Sequence, residues 1–446
     1  MLKKWIIGLA ACGFLLGGRA FAQEKIDFDQ GVDIQGVLQN LQGTVSLEPA
    51  EEKGGVAQWT VMVYVNAKNN LEKFGLYNVS QMEKIGSTTK VKIAVELGRL
   101  GTYDDSDGGW KGERRYIIKK ARHWHWPWEK KEQRYITTKP EEKIDKADMG
   151  DWHHLVEFVK WAQQKAPAQH YMLIVWNHGS GWIKDIHRGM GLRGISYDDE
   201  SGHHMSTLDL GQALAAIGKI DIYASDACLM QMAEVGYQLK DYTDYIVGSE
   251  ETEPGDGYTY DTMLGPLVTQ PDMSARDFAA VTVKSYADHY VGGNGGATQS
   301  AIESATLPQL RTLLDNWVQA VMAAGELKTV KSAQEQTQRY YYGDNKDLLH
   351  FVKLVDAATQ QQTVKSQGAL LEDFLANHVL VSNAAVDSSM ANAKGLAIYL
   401  PDSGYNSDYD ALNWAQGGSW PKFVQWILRA PAPQPEEPPI RIRDDR

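Results

Sequence analysis

Two side chains in this sequence have the types and surroundings of a nucleophile and its base. Cys228 stands in Ile220-Asp-Ile-Tyr-Ala-Ser-Asp-Ala-Cys-Leu-Met230, a short apolar run that passes into a helical pattern. His178 stands fifty residues earlier in Tyr171-Met-Leu-Ile-Val-Trp-Asn-His-Gly-Ser-Gly181, at the end of a second apolar run. A thiol and an imidazole brought to the ends of two strands can meet across the carboxyl edge of a parallel sheet. There the histidine would generate the thiolate and later serve as acid for a leaving amine. Gly179 would let a substrate carbonyl approach the main chain. Its N–H, with that of Cys228, is a candidate oxyanion hole, an element worth ~3 kcal/mol per donor. A helix over Leu229–Leu239 would add a dipole favouring thiolate at Cys228. Alone, each residue has a plainer reading, since a free cysteine is usually a small buried hydrophobe and a histidine can simply cap a strand. The pairing is what points to chemistry.

The elements that must position them alternate. Trp59–Val65, Val91–Leu97, Tyr171–Trp176, Ile220–Ala224 and Tyr245–Gly248 read as strands. Between them, Leu71–Ile85, Asp151–Gln164, Thr207–Ile217 and Leu229–Leu239 carry helical stripes. This pattern predicts an α/β fold, a mainly parallel sheet flanked by helices. The segment 99–149 reads as an insertion, and its Trp124, Trp126 and Trp128, alternating with His123 and His125, suggest a β-hairpin. Beyond Ser274, which opens a capping box with Asp277, the chain reads as largely helical to about residue 390. Residues 395–400 then return one strand to the sheet, and 420–428 form a last helix. The tail 430–446, rich in Pro and charge, reads as disordered.

With 446 residues, 43% hydrophobic and 23% charged, the chain can bury a large core. Its net charge is −12. Residues 1–22 hold three cations (Lys3, Lys4, Arg19) and no acid, so the remainder carries −15. That balance argues against nucleic acid as a partner and suits cationic substrates. Lys3 and Lys4, the apolar run Trp5–Leu16 and Ala20-Phe21-Ala22 read as an export signal over 1–22, for a periplasmic or secreted product. Leu9-Ala-Ala-Cys12 offers lipoprotein anchoring at Cys12 as a minor alternative. No stretch is long enough for a membrane span. Residues 23–57 read as an N-terminal arm or pro-segment, which leaves 58–305 as the alternating domain and 306–429 as the helical portion.

Several segments together resemble the clostripain family of cysteine peptidases, which shares the caspase-like fold with gingipains and legumain. They are Asn177-His-Gly-Ser-Gly-Trp182, Asp226-Ala-Cys-Leu-Met230, Trp59-Thr-Val-Met-Val-Tyr64 with Asn69-Asn-Leu-Glu72, and Glu250-Glu-Thr-Glu-Pro254 with Gly257-Tyr258. The resemblance runs from about Trp59 to Leu400. It implies a His178–Cys228 dyad and peptide substrates with Arg or Lys at P1. It also implies that Asp226 forms the base of the S1 pocket, where a carboxylate offsets desolvation of a guanidinium or ammonium by pairing with it. The plainer role for Asp226 is a helix N-cap. Self-processing is implied as well, after a basic residue between histidine and cysteine, with Lys184, Arg188 and Arg193 as candidates. One departure is Lys68, which stands where the family commonly carries an acidic residue before the Asn-Asn pair.

No cofactor is required on this reading, and no metal ligands are assigned. Asp104-Asp-Ser-Asp-Gly108 fails the calcium-loop register, because Tyr103 and Arg114 would fill positions 1 and 12. Calcium stays open only at Tyr197-Asp-Asp-Glu200, which reads more simply as a solvated acidic turn. His203 and His204 read as surface residues. The readings that compete with an endopeptidase are an exported, non-catalytic binding module on the same scaffold and a cysteine transpeptidase.

Overall fold

The computed structural model describes residues 55–121, 135–182, 194–292 and 296–429. Its strands, in chain order, are β1 (Ala57–Ala67), β2 (Val91–Arg99), β3 (Gly112–Ile117), β4 (Glu142–Ile144) and β5 (Ala168–Trp176). They continue as β6 (Gly194–Ile195), β7 (Met205–Ser206), β8 (Ile220–Asp226), β9 (Thr243–Gly248), β10 (Thr298–Glu303), β11 (Asn345–Asp347), β12 (Leu380–Ala385) and β13 (Ala397–Tyr399). Nine of them form one sheet in the order β12-β10-β9-β8-β5-β1-β2-β3-β4. The five central strands, β9 to β2, pair in parallel, and the strands on both flanks pair antiparallel.

Side-chain alternation along β1 shows why the central strands read as unbroken apolar runs. Trp59, Val61, Val63 and Val65 enter one core cluster, whereas Met62 and Tyr64 enter the other. Helices α1 (Glu72–Ile85), α5 (Tyr260–Thr269) and α6 (Ala275–Tyr290) cover the first face with Leu76, Val79, Met263 and Phe278. The second face takes α2 (Trp152–Lys165), α3 (Thr207–Ile217) and α4 (Ala233–Leu239) through Leu155, Phe158, Leu210, Leu214 and Val235. That core continues into α7 (Leu307–Ala324), α8 (Leu327–Gln336), α9 (Leu348–Ala358), α10 (Gln362–Phe374) and α11 (Trp420–Arg429) through Trp317, Val330, Phe351, Leu371 and Phe423. Ser206 opens α3 with a full capping box to Asp209, and Asp151 caps α2 by accepting the His153 N–H.

The stretch beyond Ser274 is largely helical, as expected, with β10 and β12 inside it extending the sheet. One expectation needs correction. The closing strand does not rejoin that sheet. Instead β13 pairs antiparallel with β11 in a separate two-stranded sheet, its Ala397, Ile398 and Tyr399 buried in the second core and Ala397 bridged to Met232, because β10 and β12 already fill the edge beside β9. The insertion after β2 adds β3 and β4 to the other edge of the sheet. Its Trp-rich stretch, with Trp124, Trp126, Trp128, His123 and His125, lies outside the described residues, as do 1–22, the tail 430–446 and nearly all of 23–57.

β1 lies between β2, which follows it in the chain, and β5, so the topology reverses there. In open α/β sheets a crevice forms beyond the carboxyl ends of strands at such a reversal. The register sets the ends level, with Val65 opposite Trp176 and Trp176 opposite Asp226.

Candidate active site

Three adjacent strands, β8, β5 and β1, each deliver one side chain just past their carboxyl ends: Cys228, His178 and Asn70. Buried Asn177 fixes the turn that follows β5. Its N–H reaches Asp226 O at 3.2 Å, and its Oδ1 accepts the Tyr197 N–H at 2.8 Å. His178 is half-buried, and its Nε2 lies 2.7 Å from Asn70 Oδ1. An amide oxygen only accepts, so Nε2 carries the hydrogen and Nδ1 is left as the ring's acceptor. A Cβ on Gly179 would fall 2.3 Å from Cys228 O and 3.1 Å from Cys228 N. Only glycine therefore lets the histidine and cysteine segments lie backbone to backbone.

Cys228 is half-buried and is the free cysteine of the described residues. Its Sγ accepts the Glu253 N–H at 3.3 Å, and the N–H groups of Gly179 and of Cys228 itself are also directed at it. Burial pushes the thiol above its ordinary value, and these three donors pull it only partly back. Burial likewise pushes His178 down, against the pull of Asp199. These directions favour a neutral thiol and a neutral imidazole as the resting forms. The expected helix dipole is absent: α4 begins only at Ala233, and Leu229 has φ +65°, which no α-helix accommodates. Backbone donors, not a helix terminus, set the field at the sulfur.

Asp226 sits two residues before the thiol and is 3% exposed. Its Oδ1 accepts the Tyr258 N–H at 3.1 Å and its Oδ2 the Tyr260 hydroxyl at 2.7 Å. Gly257 (φ +59°) packs over it so closely that a Cβ there would be 2.5 Å from Oδ1. The N-cap role is excluded, since Asp226 ends β8 and α4 starts seven residues later. Beside it stands Glu253, which the sequence reading passed over although it lies in the quoted Glu250–Pro254 segment. Burial, with Asp226 as neighbour, pushes Glu253 well above the carboxylate range. Burial pushes Asp226 up to about 7, against hydrogen bonds from Tyr260 and Tyr258.

Buried Glu234 is also raised to about 7, by burial opposed by its bonds to Tyr399 and Tyr409. These acids keep protons in the folded chain that the unfolded chain gives up at lower pH. Their contribution is complete below the ordinary carboxylate range and is lost as pH rises through about 7. The expected result is a Tm that falls between about pH 5 and about pH 8. Scanning calorimetry across that range checks it, and a Tm that rises instead would contradict the buried protonated acids.

Lys184, Arg188 and Arg193 lie outside the described residues, but the chain is paired on either side of them, Ser180 N–H to Gly194 O at 2.9 Å. The acidic segment Tyr197–Glu200 is solvated only in part, at Asp199 and Glu200. Asp198 is buried, and both Asp198 and Glu200 pair with Lys68. His203 is exposed and bonds Asp148. Asn70 was visible only as part of a shared motif; nothing in its spacing announced a bond to a histidine 108 residues away.

Comparison with known proteins bears on this arrangement. The model of the clostripain family matches residues 63–426. Clostripain of Hathewaya histolytica is 28% identical over 246 residues, which cover 50% of this chain and 45% of that protein, so the chain spans less than half the length of this curated relative. A secreted C11 cysteine protease from Bacteroides thetaiotaomicron, solved with an irreversible peptide inhibitor, shares the fold with a TM-score of 0.61 at 20% identity, over 83% of this chain and 99% of that one. An inactive zymogen C11 protease from Parabacteroides distasonis gives a TM-score of 0.60 at 18% identity, over 81% of this chain and 98% of that one. The family match takes in all three strand ends that carry Asn70, His178 and Cys228, and the chain belongs to the clostripain family.

Proposed function

We propose that this chain is an exported cysteine endopeptidase that hydrolyses peptide bonds after Arg or Lys. The observation that carries the reading is the convergence of Cys228 Sγ, the Gly179 and Cys228 N–H groups and an Asn70-oriented His178 at the ends of three neighbouring strands. In the proposed reaction, Sγ attacks the scissile carbonyl carbon as its proton passes to His178 Nδ1. The oxyanion draws on the Gly179 and Cys228 N–H groups. Collapse of this adduct breaks the C–N bond, and His178 returns the proton to the leaving amine. A water molecule, deprotonated by the same ring, then hydrolyses the thioester and restores the thiol. Asn70 holds the ring in the tautomer this needs.

Asp226, with Glu253 beside it, would take the P1 side chain. Two buried carboxyls that hold protons in the free enzyme have a direct use for a guanidinium or ammonium, whose arrival lets them ionise. Export rests on the signal-like residues 1–22. No helix among the described residues is long and apolar enough to cross a membrane. Self-cleavage at Lys184, Arg188 or Arg193 would leave both new ends held by the Ser180–Gly194 pairing.

The test is a fluorogenic panel with Arg, Lys, Asn or Asp at P1. Arg and Lys substrates are expected to be cleaved about a thousandfold faster than Asp. Preference for Asn or Asp would reject the acidic pocket, and absence of turnover on every peptide would favour a binding module.

A further inference from the structure

Lys68 is a buried lysine enclosed by oxygens. Lys68 Nζ lies 2.6 Å from Glu200 Oε2, 2.7 Å from Ala147 O, 2.9 Å from Glu113 Oε1 and 3.2 Å from Asp198 Oδ2. The Lys68, Glu113 and Asp198 side chains are 1%, 0% and 0% exposed. Glu113 Oε2, in addition, is a buried oxygen with no hydrogen-bond partner. Three carboxylates and one main-chain carbonyl form the donor set of a hard divalent cation. Here an ammonium fills it, at N–H···O distances rather than the shorter metal–oxygen ones. Burial works against this charge, but the bonds to Glu200 and Glu113 outweigh it and hold the lysine above its ordinary value.

The cage joins segments distant in sequence. Glu113 belongs to β3, Ala147 precedes α2, and Asp198 and Glu200 follow the connector between histidine and cysteine. Lys68 leads directly into the loop that serves the imidazole. Its carbonyl accepts the Asp199 N–H at 2.9 Å, Asn69 Nδ2 reaches Tyr197 O at 2.8 Å, and Asn70 bonds His178. An uncompensated group of buried carboxylates at this point would push these segments apart.

We propose that Lys68 is a built-in cation, its ammonium standing in place of calcium in an oxygen cage that fixes the Asn69-Asn70 loop and, through it, His178. Lys68 is thus a positioning residue, and the chain works without calcium. The activity arm of the test rests on the peptidase reading, whereas the stability arm does not.

Two variants separate charge from volume. Lys68→Ser leaves the oxygens and room for an ion; Lys68→Met keeps the stem and removes the charge. In a Cys228→Ala background, the protein with Lys68 is expected to show the same Tm in EDTA and in calcium at about 1 mM, the range of weak protein calcium sites. Lys68→Ser is expected to lose several degrees and regain them with calcium but not magnesium, and Lys68→Met to lose them without recovery. With Cys228 intact, kcat of Lys68→Ser is expected to fall about tenfold or more, with KM changed less, and to recover with calcium. If Lys68→Ser folds only when calcium is supplied, the proposal is supported; if it refolds with neither ion, it is overturned. EDTA sensitivity of the unaltered chain, a Lys68→Ser variant indistinguishable from it, or equal calcium recovery of Lys68→Met would each overturn it too. Calcium-restored Tm in a chain that cleaves no peptide would sink the peptidase reading and leave the cage standing.

Discussion

Cys228→Ala is expected to abolish peptidase turnover, lowering kcat/KM by about ten-thousandfold or more, with a stability loss of only about 1 kcal/mol. The argument lies in what the sulfur touches. It is half-buried and accepts the Glu253 N–H at 3.3 Å, so truncation leaves that donor without its partner, a cost of about 1 kcal/mol. A cysteine retained only for packing would show the reverse, a lower Tm with unchanged turnover. The pH profile carries the same information. Burial keeps the thiol protonated and the imidazole unprotonated at rest, so iodoacetamide should label the free enzyme faster as pH rises past the ordinary thiol range. A labelling plateau reaching down to about pH 6 would instead reveal a standing thiolate–imidazolium pair and contradict the neutral resting state. In the same variant the chain should remain whole if processing is its own work. Equal fragmentation would point to another protease.

The second large effect concerns the acid two residues upstream. Asp226→Asn is expected to lower kcat/KM for Arg and Lys substrates by about a hundredfold or more, because a P1 cation would keep only Glu253 as its counter-charge. Stability should not follow. Asparagine still offers an oxygen to the Tyr258 N–H, and its amide can face the Tyr260 hydroxyl. Above about pH 7, where Asp226 would otherwise ionise while buried, the variant should be at least as stable as the parent. The measurement is a pair: kcat/KM on Arg and Lys peptides, and Tm at about pH 8. A large loss of Tm with unchanged turnover would make Asp226 a support for the Tyr258–Tyr260 segment and remove it from the pocket.

The alternation of buried strands and amphipathic helices was legible in the sequence, as were the two residues fit to be nucleophile and base. Both follow from local facts: β-branched runs need a covered sheet, and Asn-His-Gly and Asp-Ala-Cys each end such a run. The glycine after the histidine was legible too, though its reason, a main-chain contact with Cys228, was not. Spacing along the chain carries no information about which strands become neighbours. The expected return of residues 395–400 to the main sheet fails for that cause, since only assembly shows that β10 and β12 reach the edge first. The helix expected from Leu229 failed because one left-handed residue, held by the Glu251 carbonyl, interrupts an otherwise helical pattern. Asn70, Glu253 and Lys68 took their parts only when folding brought an amide to an imidazole, a carboxyl to a carboxyl and an ammonium into a ring of oxygens. The order of residues set which groups were present and on which main strands; the tertiary structure decided which charges had to share a space without water, and that sharing is where their chemistry arises.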